Sequence, residues 1–231
     1  MLKRLITLLV FFACFTSSHA NEEVSNLLLM EAHAYQLTAD ISILALQEGG
    51  DRFQRRLDQT IDEGGLVASS LKSRWPAVDE RWHHSTRFAN EHRLVAAQNS
   101  DVNFANGLEA VQGLLYSAID SAKAELAVED ITSENYAVYE ALIALEKMVA
   151  EYMFFNVNVF GGFGVMSSEM EANALLFRDA LERISDNGQV KKQVLRKWNF
   201  IEKTLLNYNN QSATFIVMKT TDKIREMLPV G

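Results

Sequence analysis

Only two prolines interrupt this chain of 231 residues, Pro76 and Pro229, and its 11 glycines fall mostly in a few clusters. Proline and glycine are the residues that stop helices most reliably. A chain poor in them and rich in Ala, Leu and Glu is driven toward long helices. The few breakers then mark the joints. Gly49-Gly50 closes a first helix from about Glu22 to Gln47, in which Leu27, Met30, Ala34, Leu37, Ile41 and Leu44 recur at spacings of three and four. A second helix is predicted over 51–75, with Gly64-Gly65 as its weak point. Pro76 can open a third as its first helical residue, reaching about Asn99. Asp101 can cap a fourth over 102–127. A fifth begins near Ser133 and is broken by Phe160-Gly161-Gly162-Phe163-Gly164. A sixth starts at Ser167 or Ser168 and ends before Asp186-Asn187-Gly188. One long last helix is predicted from Gln189 to Met227, stopping at Pro229. No run alternates with period two, so no sheet is expected. The fold class is all-α, an antiparallel helical bundle.

Residues 1–20 have a separate character. Lys3 and Arg4 form a positive head, Leu5 to Phe15 an apolar stretch interrupted by Thr7, and Thr16 to Ala20 a polar end with Ser18 and Ala20 at the positions a signal peptidase reads. This is the layout of a secretory leader. The apolar stretch is about 11 residues, against about 20 for a bilayer span, and no later segment is long and apolar enough, so a transmembrane protein is not expected. Cys14 follows Phe11-Phe12-Ala13, and two aromatics stand where a lipoprotein site prefers Leu and a small residue. The sequence therefore predicts a protein exported to the periplasm.

Cleavage after Ala20 removes Lys3, Arg4 and no acid, so the net charge of −8 becomes −10. A strongly acidic domain repels phosphate backbones, and nucleic acid is not an expected partner. Cys14 is the one cysteine, so the mature chain has no thiol nucleophile, thiolate zinc site or Cys-x-x-Cys-His haem attachment.

An internal repeat is legible. Phe53 laid on Phe177 brings Leu57 onto Leu181. With one gap, Ile61 falls on Ile184, Gly65 on Gly188, Val67 on Val190, Leu71 on Val194, Trp75 on Trp198 and Val78 on Ile201. A duplication would divide the mature chain into helical units 21–130 and 131–231. The helix with Val190, Val194, Trp198 and Ile201, preceded by a helical segment and a polar turn, resembles the periplasmic helical-bundle module of type IV pilus methyl-accepting chemotaxis transducers and nitrate/nitrite sensors. The resemblance covers roughly residues 170–227 and, more faintly, 50–95. It implies a helical sensory module with a ligand site on an Arg-rich first helix. The corresponding stretches here, Glu31-Ala32-His33-Ala34-Tyr35 and Glu146-Lys147-Met148-Val149-Ala150, lack the Arg-x-Arg-Met-like segment. Nitrate binding is therefore not implied, and without the transducer's membrane helices this chain would be a free-standing relative.

Candidate chemistry is sparse. Glu80 and His84 share a helix face, with His83, Glu91 and His92 nearby, and such a set can hold a metal only if another helix supplies a ligand. The surrounding charges make a solvated face the stronger expectation, and no metal or other cofactor is expected. There is no His-Glu-x-x-His, no second Glu-x-x-His and no Gly-x-Ser-x-Gly. Trp75, Trp82 and Trp198 read as core anchors. The sequon Asn210-Gln211-Ser212 falls in the predicted last helix, which argues against its use. The most unusual stretch is aromatic: Tyr152, Met153, Phe154, Phe155, Phe160, Phe163 and Met166. It is either a helix end buried between the units or a docking patch, and Tyr152, Phe155, Phe160, Phe163 and Met166 are the candidate ligand- or partner-binding residues.

These features point to a non-enzymatic periplasmic binding or sensory accessory protein, with an envelope protein or a small ligand as partner. The alternatives are an envelope assembly factor that shields hydrophobic segments through the aromatic stretch, and a metal-binding protein built on Glu80, His84 and His92. N-terminal sequencing of the exported protein is expected to start at Asn21. A start at Cys14 would mark a lipid-anchored protein instead.

Overall fold

The computed structural model describes residues 2–99, 102–127, 134–157, 167–184, 188–207 and 213–228, with side chains in the first helix described from Glu22 onward. Among the described residues there is no strand. The helices are α1 (Leu2–Leu46), α2 (Asp51–Leu71), α3 (Pro76–Asn99), α4 (Val102–Lys123), α5 (Glu134–Val157), α6 (Ser167–Arg183), α7 (Gln189–Leu206) and α8 (Thr214–Arg225). None of them is long and apolar enough to cross a membrane, among the described residues.

α1 is the spine. The predicted stripe Leu27, Met30, Ala34, Leu37, Ile41 and Leu44 is fully buried, and so are Leu28 and Ile43 on other faces. A helix apolar almost all round must be surrounded. It ends where Gly49 takes φ +75°, with its N–H donating to Leu44 O at 2.9 Å. Glycine is required there twice over, by the left-handed backbone and because a Cβ would come within 2.5 Å of Ala97 Cβ.

The long last helix predicted over 189–227 is two helices, α7 and α8. α7 stops at Leu206, and Asn207 leaves the helical region with φ −102° and ψ 63°. Residues 207–212 read Asn-Tyr-Asn-Asn-Gln-Ser. Asparagine amides compete for backbone hydrogen bonds and weaken a helix without any proline or glycine. The sequon at Asn210 lies outside the described residues, and the unbroken helix that argued against its use does not exist. The second and fourth helices also end earlier than predicted, at Leu71 and Lys123.

Consecutive helices run antiparallel. Asp40 meets Thr60 while Asn26 meets Ser70 across α1 and α2, and Ser85 meets Val111 while Phe88 meets Phe104 across α3 and α4. In the first four helices, α1 contacts the other three, α2 contacts α3, and α3 contacts α4. The same set of pairings recurs among α5, α6, α7 and α8. The two sets meet chiefly through α1 and α5, the most extensive pairing among the described helices. These two helices run in the same direction. Val24 and Leu28 pack with Tyr139, Ala32 and His33 face the same cleft as Leu142 and Glu146, and Tyr35 feels the charge of Glu151. One apolar core spans both sets.

The repeated tryptophans are buried, but not at equivalent places. Trp75 lies in the turn before α3 and donates from Nε1 to Glu125 at 2.9 Å. Trp198 lies inside α7 with its ring 4.6 Å from that of Phe177 on α6. The residue that plays the same part in the first set is Trp82 on α3, whose ring covers Gly64 of α2. Likewise Gly65 is inside a helix, whereas Gly188 precedes one with φ +78°.

A Cβ at Gly64 would come within 2.3 Å of the Trp82 ring, while one at Gly65 would make ordinary contact at 3.7 Å. Gly64→Ala is therefore expected to destabilise the protein by about 1–3 kcal/mol through overpacking. Gly65→Ala, a helix-interior change with room for the methyl, is expected to be neutral or stabilising by about 0.5–1 kcal/mol. Urea unfolding of the two variants side by side checks the difference.

Candidate functional site

Asp40 is the only charged residue between Glu31 and Leu46 on the apolar spine, and it is 1% exposed. A carboxylate there demands partners. Its Oδ2 accepts from Thr60 Oγ1 of α2 at 2.6 Å, and its Oδ1 is paired with Arg56 Nε of α2. Arg56 Nη1 also donates to both oxygens of Asp222 on α8, at 2.7 and 2.8 Å. Asp222 Oδ1 takes a further bond from Arg225 Nη1 at 3.0 Å. Arg225 turns its Nε and Nη2 onto a single oxygen, Glu146 Oε1 of α5, at 2.8 and 2.6 Å. One chain of ion pairs thus joins α1, α2, α8 and α5. Burial works against the charge on Arg56, but Asp40 and Asp222 outweigh it and raise its pKa. Burial pushes the Glu146 carboxyl above the usual range, with Arg225 opposing.

Beside this chain opens a cleft of about 540 Å³. α1 contributes Leu29, Ala32, His33 and Gln36, α2 contributes Glu63, Leu66 and Val67, and α5 contributes Leu142 and Glu146. Arg225, Glu226 and Leu228 close it at the end of α8. A smaller hollow of about 350 Å³ adjoins it, reaching Arg56, Thr60 and Asp222 and sharing Gln36, Glu63, Arg225 and Glu226. The size is that of a small-molecule site, and the walls are apolar with a few convergent polar groups. Two atoms of those groups are buried without a hydrogen-bond partner, His33 Nδ1 and Glu146 Oε2, while Gln36 interacts with the His33 ring and Arg225 holds Glu146 Oε1. His33 is 8% exposed, and burial pulls its pKa down, which keeps the imidazole neutral.

A second buried set lies along α1, α4 and α5. Glu31 is ion-paired with Lys123 at 2.5 Å, and Tyr116 stacks on Tyr35 at 4.6 Å while its hydroxyl lies 3.0 Å from Thr38 Oγ1. Glu151 Oε2 is buried there without a partner, and burial pushes that carboxyl up to about 7.

The candidates drawn from the sequence are placed as follows. Tyr152 is fully buried, packed in the core with Met153, and Phe155 is half-buried. Phe160, Phe163 and Met166 lie outside the described residues. Glu80 and His84 are exposed on α3, where His83 Nε2 lies 3.3 Å from Asp79 Oδ1. His92 stacks on Phe88 and turns Nδ1 to the Phe88 carbonyl at 2.9 Å, one turn back on its own helix. Among the described residues no group of three or more His, Cys, Asp or Glu side chains is placed to hold a metal ion. Sequence reasoning missed Asp40, Arg56, Glu146, Asp222 and Arg225. A signal existed for two of them, since Asp40 and Glu146 are acids set in runs of apolar residues.

Removing one partner of a buried ion pair strands the other. Arg225→Met is expected to destabilise the protein by about 3–5 kcal/mol by leaving Glu146 unpaired. Glu146→Leu combined with Arg225→Met is expected to recover most of that loss, because no buried charge is then left over at that end. A double-mutant cycle by urea denaturation measures the coupling. Compared with family models, curated proteins and solved structures, the chain matches none of them.

Proposed function

We propose that this protein is an exported, non-enzymatic binding or sensory accessory protein of the periplasm. It takes a small ligand into the cleft between α1, α2, α5 and α8 and passes the event on as a shift of α8. The observation that carries the reading is the cleft itself. It lies where the two sets of helices meet, and the chain of ion pairs beside it holds the last helix. α8 has 12 residues, and its last turn reaches the cleft through Arg225. An occupant touching Arg225 or Glu226 acts directly on the end of α8. A ligand moves such an equilibrium by as much as its affinities for the two positions differ.

The resemblance to periplasmic transducer modules adds support. The stretches Glu31–Tyr35 and Glu146–Ala150, which correspond to that family's ligand-bearing segment, contain His33 and Glu146 of the cleft. The arginines that would suit an anion are replaced by acids and an imidazole, so the ligand differs in chemistry.

A thermal-shift screen of small anions, amino acids, amines and lipids is expected to yield at least one stabiliser, and hydrogen exchange in α8 is expected to change when it binds. A screen with no stabiliser, together with no co-purifying envelope protein, would overturn the proposal.

A further inference from the structure

The cleft carries more chemistry than its size. Glu146 Oε1 takes two bonds from Arg225, and the third donor nitrogen of that guanidinium is engaged by Asp222. Glu146 Oε2 takes no bond from Arg225. That oxygen and His33 Nδ1 are both buried, both lack a partner, and belong to residues lining the same cleft from α5 and α1. A carboxylate oxygen is an acceptor, and Nδ1 of a neutral imidazole is one in the tautomer that carries its proton on Nε2. An unmet buried acceptor costs about 1–3 kcal/mol. Two such acceptors on residues that line one cleft would be met by a donor carried by a ligand. The charges agree in sign: Glu63, Glu146 and Glu226 line the cleft against Arg225 alone. Gln36 adds an amide to the lining, and the rest of the wall near Glu146 and His33 is apolar, with Leu29, Val67 and Leu142.

We propose that the cleft binds a small organic cation, with an ammonium group donating to Glu146 Oε2 and His33 Nδ1 and an apolar body lying along Leu29, Val67 and Leu142. An anion is disfavoured by three acids, and a bare metal ion lacks a ligand set, since no metal-holding group exists among the described residues. The other buried unpartnered groups, Ser42 Oγ, Gln112 and Trp198 Nε1 among them, line neither the cleft nor its adjoining hollow. The inference rests on the proposed binding role of the cleft and names the chemical class it takes.

The test is calorimetric titration of the purified chain with three probes of one shape: phenethylamine, 2-phenylethanol and 3-phenylpropanoate. Phenethylamine is expected to bind, the alcohol to bind about tenfold or more weakly for want of the charge-assisted bonds, and the carboxylate not to bind. Glu146→Gln is expected to bring the amine down to the level of the alcohol. If that variant does not fold, the wild-type His33 ring and Leu29 and Leu142 methyl signals, followed by NMR during amine titration, carry the test, and all three are expected to shift. Equal binding of amine and alcohol, or tighter binding of the carboxylate, overturns the cation while keeping the cleft as a binding site. No binding of phenethylamine and no NMR shift also overturns the cation, and the broad thermal-shift screen then decides separately whether the cleft binds anything else.

Discussion

A charge buried on the spine of an all-helical bundle has to be met by residues of other helices, and Asp40 sets that requirement here. Its two oxygens are held by Thr60 and Arg56, which fixes α2 against α1 at one register. Arg56 then needs a second acid to balance its own burial, and Asp222 supplies it from 166 residues away. The chain ends on Glu146 through Arg225. Each partner is stabilised only while its neighbours are in place, so the pairs act as a unit. Buried ion pairs contribute little net stability compared with apolar packing. Their contribution is positional: apolar helix faces can slide by a turn at small cost, whereas a bidentate guanidinium on two carboxylates cannot.

The parallel course of α1 and α5 explains why a cleft opens beside this chain. Two four-helix arrangements joined through their first helices leave a seam beside the α1–α5 pair. α2 covers one part of it from the first set and α8 another part from the second. α8 is the shortest of the described helices and stops at Arg225. Here the apolar wall ends at Leu228, and the acids Glu63 and Glu226 stand at the rim.

Much of the fold was legible because breakers and apolar spacing are local signals. Pro76 opened α3 as expected, Gly49 closed α1, and the stripe from Leu27 to Leu44 is the buried core of the spine. The gap between α7 and α8 was missed because Asn weakens a helix without forbidding it, and no single residue at 207–212 is a breaker. The site was illegible for a different reason. Asp40 alone in an apolar run announces a buried partner, but nothing in the sequence says which of 22 basic residues it is. That choice depends on the relative placement of α1, α2 and α8. The aromatic stretch attracted attention because it is apolar on several faces, and for Tyr152 and Met153 that property reflects burial between helices.

The same arrangement constrains how any signal could travel. Glu146 is shared: one oxygen is bound by Arg225 of α8, while the other is buried without a partner at the wall of the cleft. A donor arriving at the free oxygen stabilises the ionised carboxylate, and the Arg225 pair strengthens with it. A group that instead competes for the occupied oxygen weakens that pair and loosens the end of α8. The two kinds of occupant would move α8 in opposite directions through one carboxylate. Reciprocity then requires that whatever tightens α8 also tightens the ligand that favours the tight state. The ends of that coupling are Glu146 and the last turn of α8, and its length is a single side-chain pair rather than a path through the core.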